Sequence, residues 1–169
     1  GLSPRMRFDL AANGMALRFF KNKQIPIMRD GKQWRPCIHL KDVAEAYVTV
    51  IKAPSEKING EIFNVGSDKQ NYQIISLAKE VAKAINIPFK KQWYGDPDSR
   101  SYRISFKKIK NILNYEKKIT ISEGVKETYS ALKKGKVTDS IQTRTVEWYR
   151  YLLESKKTLD MITIKNQVL

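Results

Sequence analysis

Cysteine and histidine are nearly missing from this chain, which has one of each, Cys37 and His39, in 169 residues. A lone thiol forms no internal disulfide, and one imidazole beside one thiol does not supply the donors of a zinc site. Disulfide scaffolds and Cys/His metal centres are therefore excluded. Long apolar runs are missing too: the longest are a handful of residues, against the ~20 that a membrane-spanning helix requires. No charged-then-apolar leader opens the chain, so the default expectation is a soluble, cytoplasmic protein with no membrane partner. Glycines stand at positions 1, 14, 31, 60, 66, 95, 124 and 135. None falls into the Gly-x-Gly-x-x-Gly or Gly-x-x-Gly-x-x-Gly spacing that brings backbone N–H groups close to a pyrophosphate, so no dinucleotide cradle is encoded here.

Acidic residues are scarce: 17 Asp plus Glu stand against 32 Lys plus Arg, a formal net charge of +15. Such a balance attracts polyanions and keeps open a second reading, a non-enzymatic basic module binding nucleic acid or anionic surfaces. The lysines nevertheless occur in short dispersed pairs (90–91, 107–108, 117–118, 133–134, 156–157), the usual dress of a solvated face. With 41% hydrophobic residues, the chain has enough apolar surface for one domain-sized core.

Periodicity predicts a mixed α/β element set. Leu10, Ala11, Met15, Phe19 and Phe20 give one buried face to a helix over 9–20. Ile25-Pro26-Ile27-Met28 reads as an edge strand, because proline cannot donate to a ladder. A turn follows at Arg29-Asp30-Gly31-Lys32. A strand is expected over Arg35 to His39, then a helix capped by Asp42 that runs to Lys52. Asn59-Gly60 marks a turn before a strand over Glu61 to Val65. Ile74, Leu77, Ala78, Val81, Ala82 and Ile85 make the clearest amphipathic helix. Lys90 to Tyr94 reads as extended, and Gly95 to Ser99 as a loop. Helices are expected over 106–113, over 123–134 behind a capping box of Thr120 and Glu123, and over 146–153 with Val146, Tyr149 and Leu153 buried. The domain expectation is a body over 1–154 and a loosely ordered tail over 155–169.

Two residues imitate catalytic groups. Tyr129 and Lys133 satisfy Tyr-x-x-x-Lys, but Tyr129 lies on the apolar stripe with Val125 and Leu132 and reads as a core tyrosine. His39, between Ile38 and Leu40, reads as structural. No catalytic, cofactor-binding or metal-binding residue is assigned to this chain.

Three segments, Gly1 to Asp9, Gln33 to Asp42 and Phe63-Asn-Val-Gly-Ser67, resemble in that order the second half of an extended short-chain dehydrogenase/reductase (SDR) of the NAD-dependent nucleotide-sugar epimerase/dehydratase type. The resemblance runs from the first residue to about Leu153. It implies the substrate-binding part of an extended SDR fold, with short strands plus helices and without most of the Rossmann sheet. It places the NAD-binding Rossmann half, with its catalytic Tyr-x-x-x-Lys, outside this chain. NAD(H) or NADP(H) would serve the intact enzyme, and none is expected to bind this chain alone. The implied partners are a UDP-, GDP-, CDP- or dTDP-linked sugar, the other half of the fold and, for the intact enzyme, a second subunit.

The resemblance also assigns site residues. Arg35 and Arg100, with Arg103 in reserve, would grip the diphosphate, since planar guanidinium groups pair with phosphate oxygens. Ile25, Pro26 and Ile27 would carry the base. Arg7 and Asn13, with Arg5, would close over the sugar phosphate. Trp34 would stack on a base or simply pack.

Overall fold

A computed structural model describes the chain apart from residues 29, 96–99, 165, 166 and 169; for Pro26, Met28, Tyr94 and Val168 it describes the backbone alone. Helix α1 (Ala11–Asn22) leads to strand β1 (Ile25–Met28), then β2 (Trp34–Pro36), α2 (Leu40–Lys52) and the single turn α3 (Ser55–Ile58). Strand β3 (Asn71–Gln73), helix α4 (Ile74–Ala84), β4 (Lys91–Tyr94), α5 (Lys107–Leu113) and α6 (Ile121–Lys133) follow. Helix α7 (Thr145–Ile162) and two short strands, β5 (Thr163–Ile164) and β6 (Gln167–Val168), complete the order. The α/β class expected from the sequence is the one observed.

Three helices and one strand pair form the main core. Helices α1, α4 and α6 pack on one another, and β1 lies under α1 and α4. Phe19, Ile25, Ile27, Leu77, Ala78 and Val81 are all fully buried there. Burying each of the large apolar side chains contributes about 1.5–3 kcal/mol. The apolar spacing of α4 therefore does in three dimensions what it does on paper. A smaller cluster of Met6, Phe8, Leu17 and Leu132 fixes the start of the chain, and a third, of Ala46, Phe106, Ile109 and Tyr115, joins α2 to α5.

Pairing among the described strands is limited to three two-stranded sheets: β1 with β4 parallel, β2 with β3 antiparallel, β5 with β6 antiparallel. Pro26, lacking an N–H, is tolerated because β1 carries a ladder on one edge only. Gly31 has φ +69 and closes the turn between β1 and β2, where a Cβ would stand 2.9 Å from Ile75. Arg29 and the expected loop over 96–99 lie outside the described residues.

Several boundaries differ from expectation. Helix α1 begins and ends two residues late, with Lys23 taking up a left-handed conformation (φ 58) at its C-cap. Asp42 is not a cap. Helix α2 begins at Leu40 and is capped by His39, whose ring nitrogen accepts from the Lys41 N–H. Asp42, 3% exposed, instead accepts the amides of Lys118 and Ile119 at 2.8 and 3.0 Å. Two amides with no other acceptor outcompete an N-terminus that histidine already satisfies.

The strand expected over 61–65 does not form: no described strand pairs with it, and Ile62 is 82% exposed. Helix α7 continues nine residues past Leu153 to Ile162, so the first part of the expected loose tail is helical. Val146, Tyr149 and Leu153 are exposed rather than buried, because no described element covers that side of α7. The capping box at Thr120 and Glu123 forms as read.

Candidate functional site: a cleft lined by arginine

A cleft of about 1470 Å³ opens between the start of the chain, α1, β2 and the N-terminal end of α6. Six arginines line it, Arg5, Arg7, Arg18, Arg35, Arg100 and Arg144, as do Asn13, His39 and Tyr102. Chain positions as far apart as 5 and 144 meet because the N-terminal segment is stitched to the far end of the sequence. Phe8 N–H donates to the Thr143 carbonyl at 2.9 Å, and Thr145 N–H donates to Asp9 at 3.1 Å.

Arg35 is held by backbone and ring together. Its Nη1 donates to the carbonyls of Trp34 and Arg100, at 2.7 and 2.6 Å, and its guanidinium lies 5.1 Å from the Tyr102 ring centroid. The backbone joins in: Tyr102 N–H donates to the Trp34 carbonyl and Trp34 N–H to the Ser101 hydroxyl. The segment over 100–103 thus runs beside β2, and Arg35 and Arg100 reach one cleft.

Arg7 forms a fork to Asp9, at 3.1 and 2.9 Å. That hydrogen bond is the main reason the Arg7 guanidinium titrates above its ordinary value. Burial is the largest single influence on Asp9 and pushes it up. The Arg7 and Thr145 bonds together outweigh it and leave the carboxyl below the usual range. Asn13, 8% exposed, donates to the Arg7 carbonyl and accepts from the Gly1 amino group, so it holds the segment that carries Arg7.

Ile25 and Ile27 do not line the cleft. Both are fully buried in the main core, because alternate residues of a strand point to one face, and that face lies beneath α1 and α4. They cannot offer an apolar face to a base. Pro26 carries its backbone in the ladder, and its side chain lies outside the described set. Trp34 is partly buried beneath the Arg103 guanidinium, 4.6 Å from its ring centroid, and does not line the cleft. The sequence reading missed Arg18 and Arg144, for which only positive charge was a signal, and Tyr102, for which there was none.

The imitators resolve structurally. His39 Nδ1 accepts from the Lys41 amide, which places the ring proton on Nε2, 2.8 Å from Glu127. Tyr129 packs edge-on against Phe20, and the Lys133 ammonium sits over the ring, 5.0 Å from its centroid. Burial pushes the Cys37 thiol up to about 11. Among the described residues no group of His, Cys, Asp and Glu is placed to hold a metal, and no helix is long and apolar enough to cross a membrane.

A cleft rich in guanidinium groups, one of them held by two carbonyls and an aromatic ring, presents donors of the kind that pair with anionic oxygens. Residues 4–66 match the NAD dependent epimerase/dehydratase family. A UDP-N-acetyl-alpha-D-glucosaminuronate decarboxylase of Bacillus cytotoxicus is 31% identical over 106 residues, covering 59% of this chain and 32% of the relative. A CDP-paratose 2-epimerase of Salmonella typhi is 31% identical over 111 residues, covering 64% and 32%. Among solved structures, a UDP-glucuronic acid 4-epimerase of Bacillus cereus in complex with UDP-glucuronic acid and NAD superposes with a TM-score of 0.66 at 21% identity, over 79% of this chain and 42% of that one. A dTDP-glucose 4,6-dehydratase of Bacillus anthracis in complex with NAD gives 0.63 at 20% identity, over 80% and 42%.

The chain thus shares its fold with part of these epimerase and dehydratase structures, and its residues 4–66 are similar to the NAD dependent epimerase/dehydratase family. It spans about a third of the length of the curated relatives it matches.

Proposed function

We propose that this chain binds the nucleotide-diphosphate end of a nucleotide sugar, as the substrate side of an NAD- or NADP-dependent epimerase or dehydratase. The observation that carries the reading is the convergence of Arg5, Arg7, Arg18, Arg35, Arg100 and Arg144 on one cleft. Two phosphates bring several oxygens within reach of guanidinium donors, and charge-assisted pairs are the strong hydrogen bonds of such sites. Arg35 acts as the anchor: its plane is set by the two carbonyls it grips, so less rotamer freedom is lost when a phosphate arrives.

The cofactor supplies hydride exchange at a sugar carbon when bound to the intact fold. The glycine spacing of this chain does not fit a dinucleotide, so its binding groups belong to other parts of that fold. What these residues contribute is orientation, which is worth several kcal/mol when it holds a reacting carbon in line. The uncovered apolar surface supports the same view. Leu40, Tyr47, Val48 and Ile51 form an exposed stripe on α2, and the segment over 61–65 pairs with no described strand. Both are surfaces for the remainder of the fold to cover.

The test is calorimetric titration with UDP-, GDP-, CDP- and dTDP-sugars at two salt concentrations. One nucleotide is expected to bind selectively. Arg35→Ala should weaken it roughly 10- to 100-fold, the loss of one charge-assisted hydrogen-bonding group. Weak, indiscriminate binding that salt abolishes would refute the proposal and favour the basic module that the net charge of +15 also allows.

A further inference from the structure

The segment that brings Arg100 to the cleft has a second face. Residues 34 and 35 stand opposite 103 and 102 in antiparallel fashion, and each opposed pair is an arginine over an aromatic ring: Arg35 on Tyr102, Arg103 on Trp34. Successive residues of an extended segment point to opposite sides. Arg35 and Tyr102 line the large cleft, whereas Arg103 lines a separate shallow pocket of about 410 Å³ together with Asp68, Asn71, Ile104, Ser105 and Lys107.

We propose that this second pocket binds a phosphate group, gripped by Arg103 and Lys107 beside the Trp34 ring. Its electrostatics support the assignment. Around it, Lys108 is paired with Glu61 and Lys110 with Glu116. Arg103 and Lys107 have no carboxylate partner among the described residues. The pocket's one carboxylate, Asp68, accepts the Phe106 amide at 2.8 Å, and the Asn71 side chain is held by the backbone of Ile104. Two cations thus face one engaged carboxylate. The Arg103 guanidinium lies against the indole, which fixes its plane and leaves its N–H edge for a planar or tetrahedral anion. The same chemistry suits a small phosphorylated ligand or a phosphodiester of single-stranded nucleic acid.

The experiment is amide and indole NMR of the full chain, titrated separately with pyrophosphate and with a short deoxythymidine oligonucleotide. Either ligand is expected to shift the Trp34 indole and the Ser105 and Lys107 amides. The double variant Arg103→Gln, Lys107→Gln should raise the half-saturating concentration at those signals about tenfold or more. Arg103→Lys, which keeps the charge but loses the flat fork, should fall between. Arg18→Gln, on the large cleft, should leave these signals unchanged. An oligonucleotide half-saturating well below pyrophosphate, with a steep salt dependence, identifies the phosphodiester as the source; comparable concentrations identify the small ligand. Unmoved signals with both ligands, or an undiminished response in a double variant whose remaining spectrum matches the parent, would overturn the proposal.

Discussion

Removing the Asp42 carboxylate should unhinge α2 from the segment that leads into α6. The side chain is 3% exposed and accepts two amides, Lys118 N–H at 2.8 Å and Ile119 N–H at 3.0 Å. Hydrogen bonds to a charged group are worth about 1.5–3 kcal/mol each, and a buried amide left without an acceptor forfeits about 1–3 kcal/mol. Desolvation of the carboxylate itself offsets part of that gain. Asp42→Ala is therefore expected to lose about 3–5 kcal/mol, a large part of the ~5–15 kcal/mol available to a domain of this kind. Asp42→Asn keeps one acceptor and turns an N–H towards the other amide, so about half that loss is expected. The Tyr115 hydroxyl bond to the Asp42 carbonyl, at 2.7 Å, survives in both variants. Urea unfolding followed by circular dichroism is the assay. With a slope near 2 kcal/mol/M, the alanine variant should lower the midpoint by roughly 2 M. A shift below about 0.5 M, or equal shifts for alanine and asparagine, would refute the reasoning.

Cys37, its thiol pushed up to about 11 by burial, should react with a thiol reagent at pH 8 more than ~100-fold slower than a free cysteine, and a rate like that of the unfolded chain would contradict it. Thr120→Ala should remove the capping box of α6 and lower stability by about 1 kcal/mol, read as a shift in the thermal midpoint. Asp9, Glu127 and Asp139 all titrate below their ordinary values of 3.8, 4.5 and 3.8 in the folded chain. For each, burial pushes upward, and the hydrogen bonds and cations around it prevail. The unfolded chain then binds more protons than the folded one, so their contribution is complete above about pH 4.5 and is lost as pH falls through the depressed values. Unfolding free energies measured from pH 7 down to 3 should decline in that window, more steeply at low salt for Asp9, which faces the half-exposed Arg7.

The readings that succeeded were local. The apolar spacing of α4, the capping box at Thr120 and the turn at Gly31 each depend on a few neighbouring residues, and backbone geometry permits few alternatives there. Where a reading failed, a distant partner decided. Asp42 looked like a cap until the amides of residues 118 and 119 arrived across the fold. Val146, Tyr149 and Leu153 have the spacing of a buried face, but periodicity does not reveal whether anything lies against it. The family resemblance assigns Ile25 and Ile27 to a base, but only the packing reveals that both side chains are buried beneath α1 and α4.

By itself, then, the sequence determined the absence of a dinucleotide cradle, the mixed helix and strand content, and the family motifs that pointed to Arg35 and Arg100, because composition and short-range spacing are sufficient for each. Only the tertiary structure decided that Arg5, Arg7, Arg18, Arg35, Arg100 and Arg144 share one cleft while Arg103 faces another. Side chains separated by up to 139 positions meet only when the chain is folded, and Arg100 and Arg103, three positions apart, line different pockets.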